Sequence, residues 1–95
     1  MNSFFFECLK KYKEQNASKY GILQIGIFGS VAREEEKEGS DVDICIKTQS
    51  PNPFIIVHIK EELEELFHAH VDIVRMRETM NAYLKERINK EAIYV

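Results

Sequence analysis

The amino-acid sequence predicts one small domain of the α/β or α+β class, with helices packed against a sheet. Three short runs rich in Ile and Val are typical of buried strands, and apolar residues between them recur at the 3.6-residue spacing of amphipathic helices. Strands that alternate with helices in this way form layered structures of helix on sheet. The length of 95 residues leaves room for one modest core, so we expect a single domain over residues 1–95 with the order αβαβαβα.

The first half of the chain contains two predicted helices and two predicted strands. Apolar residues at helical spacing predict an amphipathic helix over residues 3–15, which the segment NASKYG ends. The run ILQIGIF, residues 22–28, predicts a buried strand that Gly29 closes. Ser30 is a good N-cap residue, and we expect a short helix to begin there. In DVDICIK, residues 41–47, side chains alternate, so the Val and Ile residues share one face and the aspartates share the other.

The second half contains two further helices and the third strand. Asn52 followed by Pro53 is a strong helix start, and apolar residues continue at helical spacing as far as Phe67. HVDIVRM, residues 70–76, predicts the third strand, and Thr79 is the expected N-cap of the last helix. The apolar stripe predicted for that helix consists of Met80, Tyr83, Leu84 and Ile88.

Composition and charge exclude several classes of protein. A net charge of −3 with scattered basic residues argues against direct nucleic-acid binding, which depends on Lys and Arg that neutralise phosphates. No run approaches the ~20 apolar residues of a membrane helix, and the N-terminus lacks the charged region of a signal peptide. Cys8 and Cys45 are too few for a disulfide framework and are expected to be reduced. We therefore expect a cytoplasmic protein that binds neither membrane nor nucleic acid.

Asp41 and Asp43 form a DxD pair at the head of the second predicted strand. Two carboxylates at i and i+2 on a strand project side by side and repel each other unless a cation or a proton intervenes. Mg²⁺ is usually held by one or two carboxylates together with substrate phosphates. Gly29 allows close approach of a ligand, and a helix that begins at Ser30 offers free N–H groups to phosphate. The pattern therefore predicts a metal site beside a phosphate site, with a solvated strand end as the alternative.

A third carboxylate, Asp72, lies in the middle of the third predicted strand. An unpaired charge buried among Val and Ile is costly, so this aspartate needs a reason to be there. Either its side chain caps a turn or points to solvent at a sheet edge, or the strands deliver three carboxylates to one point.

The segment GSVAREEEKEGSDVDICI, residues 29–46, resembles the GSxxRG…SDxDxxV signature of the minimal nucleotidyltransferases. These are a small branch of the DNA polymerase β-like superfamily and include antitoxins of the MntA type. The residues at the family's spacing are Gly29, Ser30, Ala32, Arg33, Ser40, Asp41 and Asp43, and Asp72 matches the later strand aspartate. The resemblance covers nearly the whole chain, and it implies a palm-like fold with a small mixed sheet and the three aspartates at one open end.

The resemblance also implies a reaction, namely Mg²⁺-dependent transfer of a nucleoside monophosphate, with ATP as the expected donor, to a hydroxyl. It assigns Asp41, Asp43 and Asp72 as catalytic residues and as ligands of two Mg²⁺ ions, with Asp72 helping to deprotonate the hydroxyl. It assigns nucleotide binding to Gly29, Ser30, Arg33 and Ser40. Many chains of the family are encoded beside HEPN-domain proteins, and in several such pairs the transferase is an antitoxin that adds AMP to a tyrosine of an RNase toxin. The implied partner is therefore a HEPN toxin.

Two alternatives remain at this point. The chain is a binding module that neutralises a HEPN toxin by covering it, or it is a small-molecule adenylyltransferase of the antibiotic-modifying type. Glu34 stands where the family has Gly and opens an acidic run, which together with the small size favours the binding module. The donor nucleotide, the acceptor and the oligomeric state stay open.

Overall fold

A computed structural model describes residues 4–95. Its elements, in chain order, are α1 (Phe4–Tyr20), β1 (Ile22–Phe28), β2 (Val42–Thr48), α2 (Pro53–Phe67), β3 (Val71–Arg75), α3 (Ala82–Glu91) and β4 (Ile93–Tyr94). Ser3, the predicted start of the first helix, lies outside the described residues. No helix within residues 4–95 combines the length and the apolarity that crossing a bilayer requires.

The four strands form one mixed sheet in the order β3-β2-β1-β4. β1 is antiparallel to β2 and to β4, whereas β2 and β3 are parallel. The register places Phe28 of β1 beside Asp43 of β2, and Asp43 beside Asp72 of β3. The end of β1 and the starts of β2 and β3 therefore lie side by side at the same end of the sheet.

Both faces of the sheet are covered. Val42, Ile44 and Ile46 of β2 belong to the larger core cluster, which α1 and α2 complete. Cys45 belongs to a second cluster with Phe28 and with Ile88 of α3. Alternate residues of one strand thus pack against different helices, and each fully buried Ile contributes roughly 1.5–3 kcal/mol of burial free energy.

The structure confirms the predicted class and most of the predicted elements. The three predicted strands form, and the sheet is small and mixed. α2 begins as predicted, since the side chain of Asn52 accepts a hydrogen bond from the backbone N–H of Phe54 at 3.0 Å and Pro53 is the first helical residue. Cys8 and Cys45 are free cysteines, as expected.

The predicted end of the first helix is wrong. α1 continues past residue 15 as far as Tyr20, because Ala17 and Tyr20 still pack against the larger core cluster. The stop is Gly21, whose φ of +66° is left-handed and favours Gly after a helix.

The predicted order αβαβαβα is wrong in two places. No helix begins at Ser30: the chain makes hydrogen-bonded turns there, and Glu34 leaves helical geometry with a φ of +60°. The two-residue strand β4 was not predicted, because so short a segment carries no periodicity.

The start of the last helix also differs from the prediction. Asn81, not Thr79, is the N-cap of α3, because its side chain accepts a hydrogen bond from the N–H of Leu84 at 3.1 Å. Tyr83, predicted on the apolar stripe, is 77% exposed.

Candidate active site

Two of the predicted aspartates are brought together by strand pairing. Asp43 and Asp72 are register partners on the parallel strands β2 and β3, so their side chains project from the same face of the sheet. Asp43 is half-buried, whereas Asp72, on the edge strand, is exposed. Asp41 is exposed and lies just before β2. Asp72 therefore faces solvent at the sheet edge and lies beside a second carboxylate, and its role as a metal ligand stays a prediction.

The electrostatic environment of Asp43 reflects this crowding. Burial, and then the negative charge of Asp72, raise the pKa of the Asp43 carboxyl above its ordinary value, with a smaller contribution from Asp41. Two cationic side chains, Arg87 and Arg33, act on that pKa in the opposite direction. The repulsion between the paired carboxylates at this position is relieved when one of them binds a proton or when both bind a cation.

Gly29 follows β1 directly and lies against the Asp43 side chain. Its φ of +76° is left-handed, and a Cβ built on it overlaps the Asp43 carboxylate. A side chain at this position is therefore disfavoured by the backbone conformation and also overlaps the Asp43 carboxylate. The glycine allows the turn after β1 to run beside the carboxylate, and the predicted close approach of a ligand stays a prediction.

The turn itself differs from the predicted helix start. The N–H of Arg33 donates to the carbonyl of Gly29 at 3.1 Å, and the N–H of Glu35 donates to the carbonyl of Ser30 at 2.8 Å. This single turn ends at Glu34, so the helix expected from Ser30 does not continue beyond it. Ser30 is half-buried at the start of the turn.

The backbone N–H of Gly29 is hydrogen-bonded to a carboxylate that the sequence analysis did not identify, that of Glu91. The Gly29 N–H donates to Glu91 Oε1 at 3.1 Å, and Arg33 Nη1 lies 2.7 Å from the same oxygen. Arg87 Nε lies 3.5 Å from Glu91 Oε2. Arg87 and Glu91 are one turn apart at the end of α3, and that i,i+4 spacing of opposite charges is the one sequence signal for them.

Ser40 has a local role. Its Oγ accepts a hydrogen bond from the backbone N–H of Lys37 at 2.8 Å, and its own N–H donates to the carbonyl of Lys37 at 2.9 Å. It lines a cavity of about 790 Å³ whose walls include Phe5 and Phe67 and none of the three aspartates. The structure therefore places Ser40 in the loop before β2 and does not add it to the Asp43–Asp72 pair.

Most of the acidic run after Arg33 faces solvent, whereas Glu36 is half-buried and its Oε2 is buried without a hydrogen-bond partner among residues 4–95. Glu34, Glu35 and Glu38 are exposed, and Glu35 Oε2 lies 3.0 Å from Arg33 Nε. The Arg33 guanidinium is therefore shared between Glu35 and Glu91.

The residues fit a magnesium ion shared with a substrate better than a metal site built by protein alone. Within residues 4–95, no group of three or more His, Cys, Asp or Glu side chains is placed to hold a metal ion. Asp43 and Asp72 nonetheless supply two adjacent carboxylates whose repulsion a cation relieves. One or two carboxylates completed by phosphate oxygens is the donor set that Mg²⁺ accepts.

Comparison with known proteins identifies relatives across nearly the whole chain. The family model described as "Nucleotidyltransferase domain" matches residues 9–95. A Methanocaldococcus jannaschii protein with the provisional name protein adenylyltransferase MJ1217 is 37% identical over 90 residues, which cover 94% of this chain and 92% of the relative. The protein adenylyltransferase MntA of Thermococcus cleftensis is 33% identical over 88 residues, which cover 92% of this chain and 88% of the relative.

Solved structures share the fold. A structure with the provisional description minimal nucleotidyltransferase matches with a TM-score of 0.78 and 28% identity, and covers 98% of this chain and 95% of that one. A structure of a tri-AMPylated HEPN toxin from Shewanella oneidensis in complex with an MNT antitoxin matches with a TM-score of 0.73 and 17% identity. That match covers 99% of this chain and 71% of the other chain.

Proposed function

Because this chain belongs to the nucleotidyltransferase domain family, we propose that it transfers AMP from ATP to a hydroxyl of a partner protein in a Mg²⁺-dependent reaction. Relatives at 33–37% identity carry the name protein adenylyltransferase, which supports AMP as the transferred group and a protein as the acceptor. The fold is shared with a complex of an MNT antitoxin and an AMPylated HEPN toxin, which supports a HEPN toxin as the partner.

One observation carries the proposal: the register pair of Asp43 and Asp72 lies beside the turn at Gly29. The pair offers two carboxylates for a divalent cation, and the turn is adjacent to them with Arg33 and Arg87 nearby. A cation site and a cationic, N–H-bearing turn at one sheet edge match the charge pattern of a nucleoside triphosphate with its metal ion.

The side chains then have separate roles. In our proposal Asp43 and Asp72 hold Mg²⁺, and Asp41 adds negative charge at the same edge. When bound, the ion supplies charge neutralisation on the triphosphate. Arg33, with Gly29 and Ser30 of the turn, orients the phosphates.

The transfer is a displacement at the α-phosphorus. The acceptor oxygen forms a bond to that phosphorus, the bond to the pyrophosphate oxygen breaks, and the hydroxyl proton leaves to a base. Asp72 is the proposed base because its exposed side chain on the edge strand is open to an acceptor approaching from solvent. The same exposure suits a hydroxyl presented by a second protein.

The test is incorporation of labelled AMP. The protein is incubated with α-labelled ATP, Mg²⁺ and a HEPN-domain protein as the proposed partner, and incorporation is compared for wild type, Asp43→Asn and Asp72→Asn. Glu65→Gln, an exposed carboxylate on α2, is the matched control. We expect label on the partner with wild type and with the control, a loss of orders of magnitude in both aspartate variants, and no label in chelator.

One folding control and two contrary outcomes make the result decisive. Thermal melting without metal checks the fold, and we expect neither aspartate variant to melt lower, since each removes one of two adjacent like charges. Undiminished labelling by Asp72→Asn removes its catalytic role. A toxin that is inactivated without acquiring label supports the binding module instead.

A further inference from the structure

Glu91 connects three groups that lie at the candidate site. Its Oε1 accepts from the Gly29 N–H at 3.1 Å and lies 2.7 Å from Arg33 Nη1, and its Oε2 lies 3.5 Å from Arg87 Nε. The Glu91 side chain is 22% exposed, so these contacts are partly shielded from water. One backbone N–H and two guanidinium groups therefore converge on a single anionic group.

The location of Glu91 is not explained by its helix. It is the last residue of α3, where the partial negative charge of the helix end disfavours a carboxylate. The three donors offset that cost. The position thus has the composition of an anion-binding site, since backbone N–H and guanidinium groups bind carboxylate and phosphate oxygens with the same geometry.

This anion-binding site, defined by Gly29 N–H, Arg33 and Arg87, is adjacent to the aspartates. Gly29 lies against the Asp43 carboxylate. Arg87 is fixed over the ring of Phe28, 5.6 Å from guanidinium carbon to ring centroid, and Phe28 is the β1 register partner of Asp43. An anion held here is next to a cation held by Asp43.

We infer that Arg87 is a further phosphate-binding residue, which adds a second guanidinium group to the turn at Gly29 and Arg33, and that Glu91 fills this Gly29–Arg33–Arg87 site until a polyphosphate displaces it. The identity of that polyphosphate as a nucleotide rests on the proposed function. The displacement is favourable on charge, because a polyphosphate brings several negative charges to two guanidinium groups where Glu91 brings one. Glu91 therefore lowers the affinity for polyphosphate while it keeps the arginines in place.

Calorimetric titration with inorganic triphosphate tests the site without involving a nucleoside. Glu91→Gln keeps an oxygen that can accept from Gly29 but removes the competing charge, so we expect it to bind triphosphate about three- to tenfold more tightly than wild type. Arg87→Gln is expected to bind triphosphate roughly tenfold more weakly than wild type, and Arg87→Lys is expected to have an affinity between those of wild type and Arg87→Gln.

Matched controls come from the same helix. Glu86 and Lys90 form an exposed ion pair at 3.1 Å, so Glu86→Gln and Lys90→Gln make the same charge changes without touching the site. Both are expected to bind within twofold of wild type, a long-range charge effect only. Melting temperatures establish that every variant is folded.

Each outcome decides the inference. Binding by Glu91→Gln that is equal to or weaker than that of Glu86→Gln overturns Glu91 as a competitor. Binding by Arg87→Gln that equals that of Lys90→Gln removes Arg87 from the site, and absence of triphosphate binding in wild type and all five variants shows that no such site exists. AMP incorporation is measured separately. The expected affinity order without incorporation upholds this inference and contradicts the proposed function. Incorporation without the expected affinity order upholds the proposed function and contradicts this inference.

Discussion

Gly29 and Asp43 constrain each other at the scale of single residues. The left-handed φ of Gly29 turns the chain after β1, and the absence of a side chain leaves space for the Asp43 carboxylate. The carboxylate is in turn held half-buried beside Asp72, where burial raises its pKa. The pair of carboxylates therefore depends on a position that has no Cβ.

Gly29→Ala is expected to reduce both stability and nucleotide binding. A non-glycine residue in left-handed geometry costs about 1–2 kcal/mol, and the added methyl group must also displace the Asp43 carboxylate. We expect a free energy of unfolding lower than that of Gly39→Ala, and a loss of triphosphate binding in the folded fraction. Denaturant unfolding and calorimetry measure the two effects.

Gly39→Ala is the control because Gly39 has a similar φ of +84° and no atom within 4 Å of its built Cβ. It carries the backbone strain without the contact. Equal stability and equal binding in the two variants would show that the contact with Asp43 has no consequence.

The two helices on the larger core face are joined by a polar contact at the scale of elements. Glu62 Oε1 of α2 accepts hydrogen bonds from the hydroxyls of Tyr12, at 2.9 Å, and Tyr20, at 2.7 Å, both on α1. Burial raises the pKa of Tyr12, so its hydroxyl remains a donor at neutral pH. The hydroxyl of Tyr20 is the largest cause that holds the pKa of Glu62 below its ordinary value.

The Glu62 contact is expected to make stability depend on pH. A carboxyl whose pKa is lowered on folding stabilises the fold above its unfolded pKa, about 4.5, and that contribution is lost as the pH falls through the folded pKa. Glu62→Gln should therefore lower the free energy of unfolding by about 1 kcal/mol at pH 7, and the difference from wild type should shrink below pH 4.5. Denaturant unfolding between pH 7 and pH 3 measures this, with the exposed Glu61→Gln as control; a difference that is constant with pH would contradict it.

Which elements could be predicted follows from how much local pattern each contains. β1 and α2 carry long apolar patterns and clear boundaries, such as Asn52–Pro53, and they form as predicted. The turn after Ser30 does not continue as a helix because Glu34 adopts left-handed geometry, and the local sequence does not predict that conformation for a glutamate. β4 forms by pairing with β1 across most of the chain, so its cause is tertiary.

The residues of the site also divide into those that local sequence predicts and those that only tertiary packing brings together. The aspartates and Gly29 could be named from spacing, because a strand fixes the direction of its own side chains. Arg87 and Glu91 could not, because Glu91 reaches Gly29, and Arg87 reaches the ring of Phe28, only after α3 packs its Ile88 against Phe28 and Cys45. Partners separated by about sixty residues carry no local signal of their contact.

The end of the chain links the sheet to the site at the scale of the whole molecule. β4 pairs with β1, the Val95 N–H donates to the Ile25 carbonyl at 3.1 Å, and Lys13 Nζ of α1 lies 2.7 Å from the Val95 carbonyl oxygen. α3, which carries Arg87 and Glu91, ends two residues before β4. The position of the arginine and the carboxylate in the site therefore depends on a strand at the opposite edge of the sheet from β3.

Gly26→Ala is expected to disturb the site through that strand. A Cβ on Gly26 lies 2.7 Å from the Ile93 carbonyl oxygen and 2.9 Å from Tyr94 Cδ1, so β4 must move away from β1. We expect the free energy of unfolding to fall by about 1–3 kcal/mol, as for other overpacked positions, and inorganic triphosphate to bind more weakly. Amide exchange followed by NMR locates the change: the Val95 N–H should exchange faster, while the Val42 N–H, which donates to the His70 carbonyl at 2.9 Å, keeps its protection relative to global unfolding. If the Val95 N–H keeps its protection, with or without weaker triphosphate binding, the prediction that the site depends on β4 is contradicted.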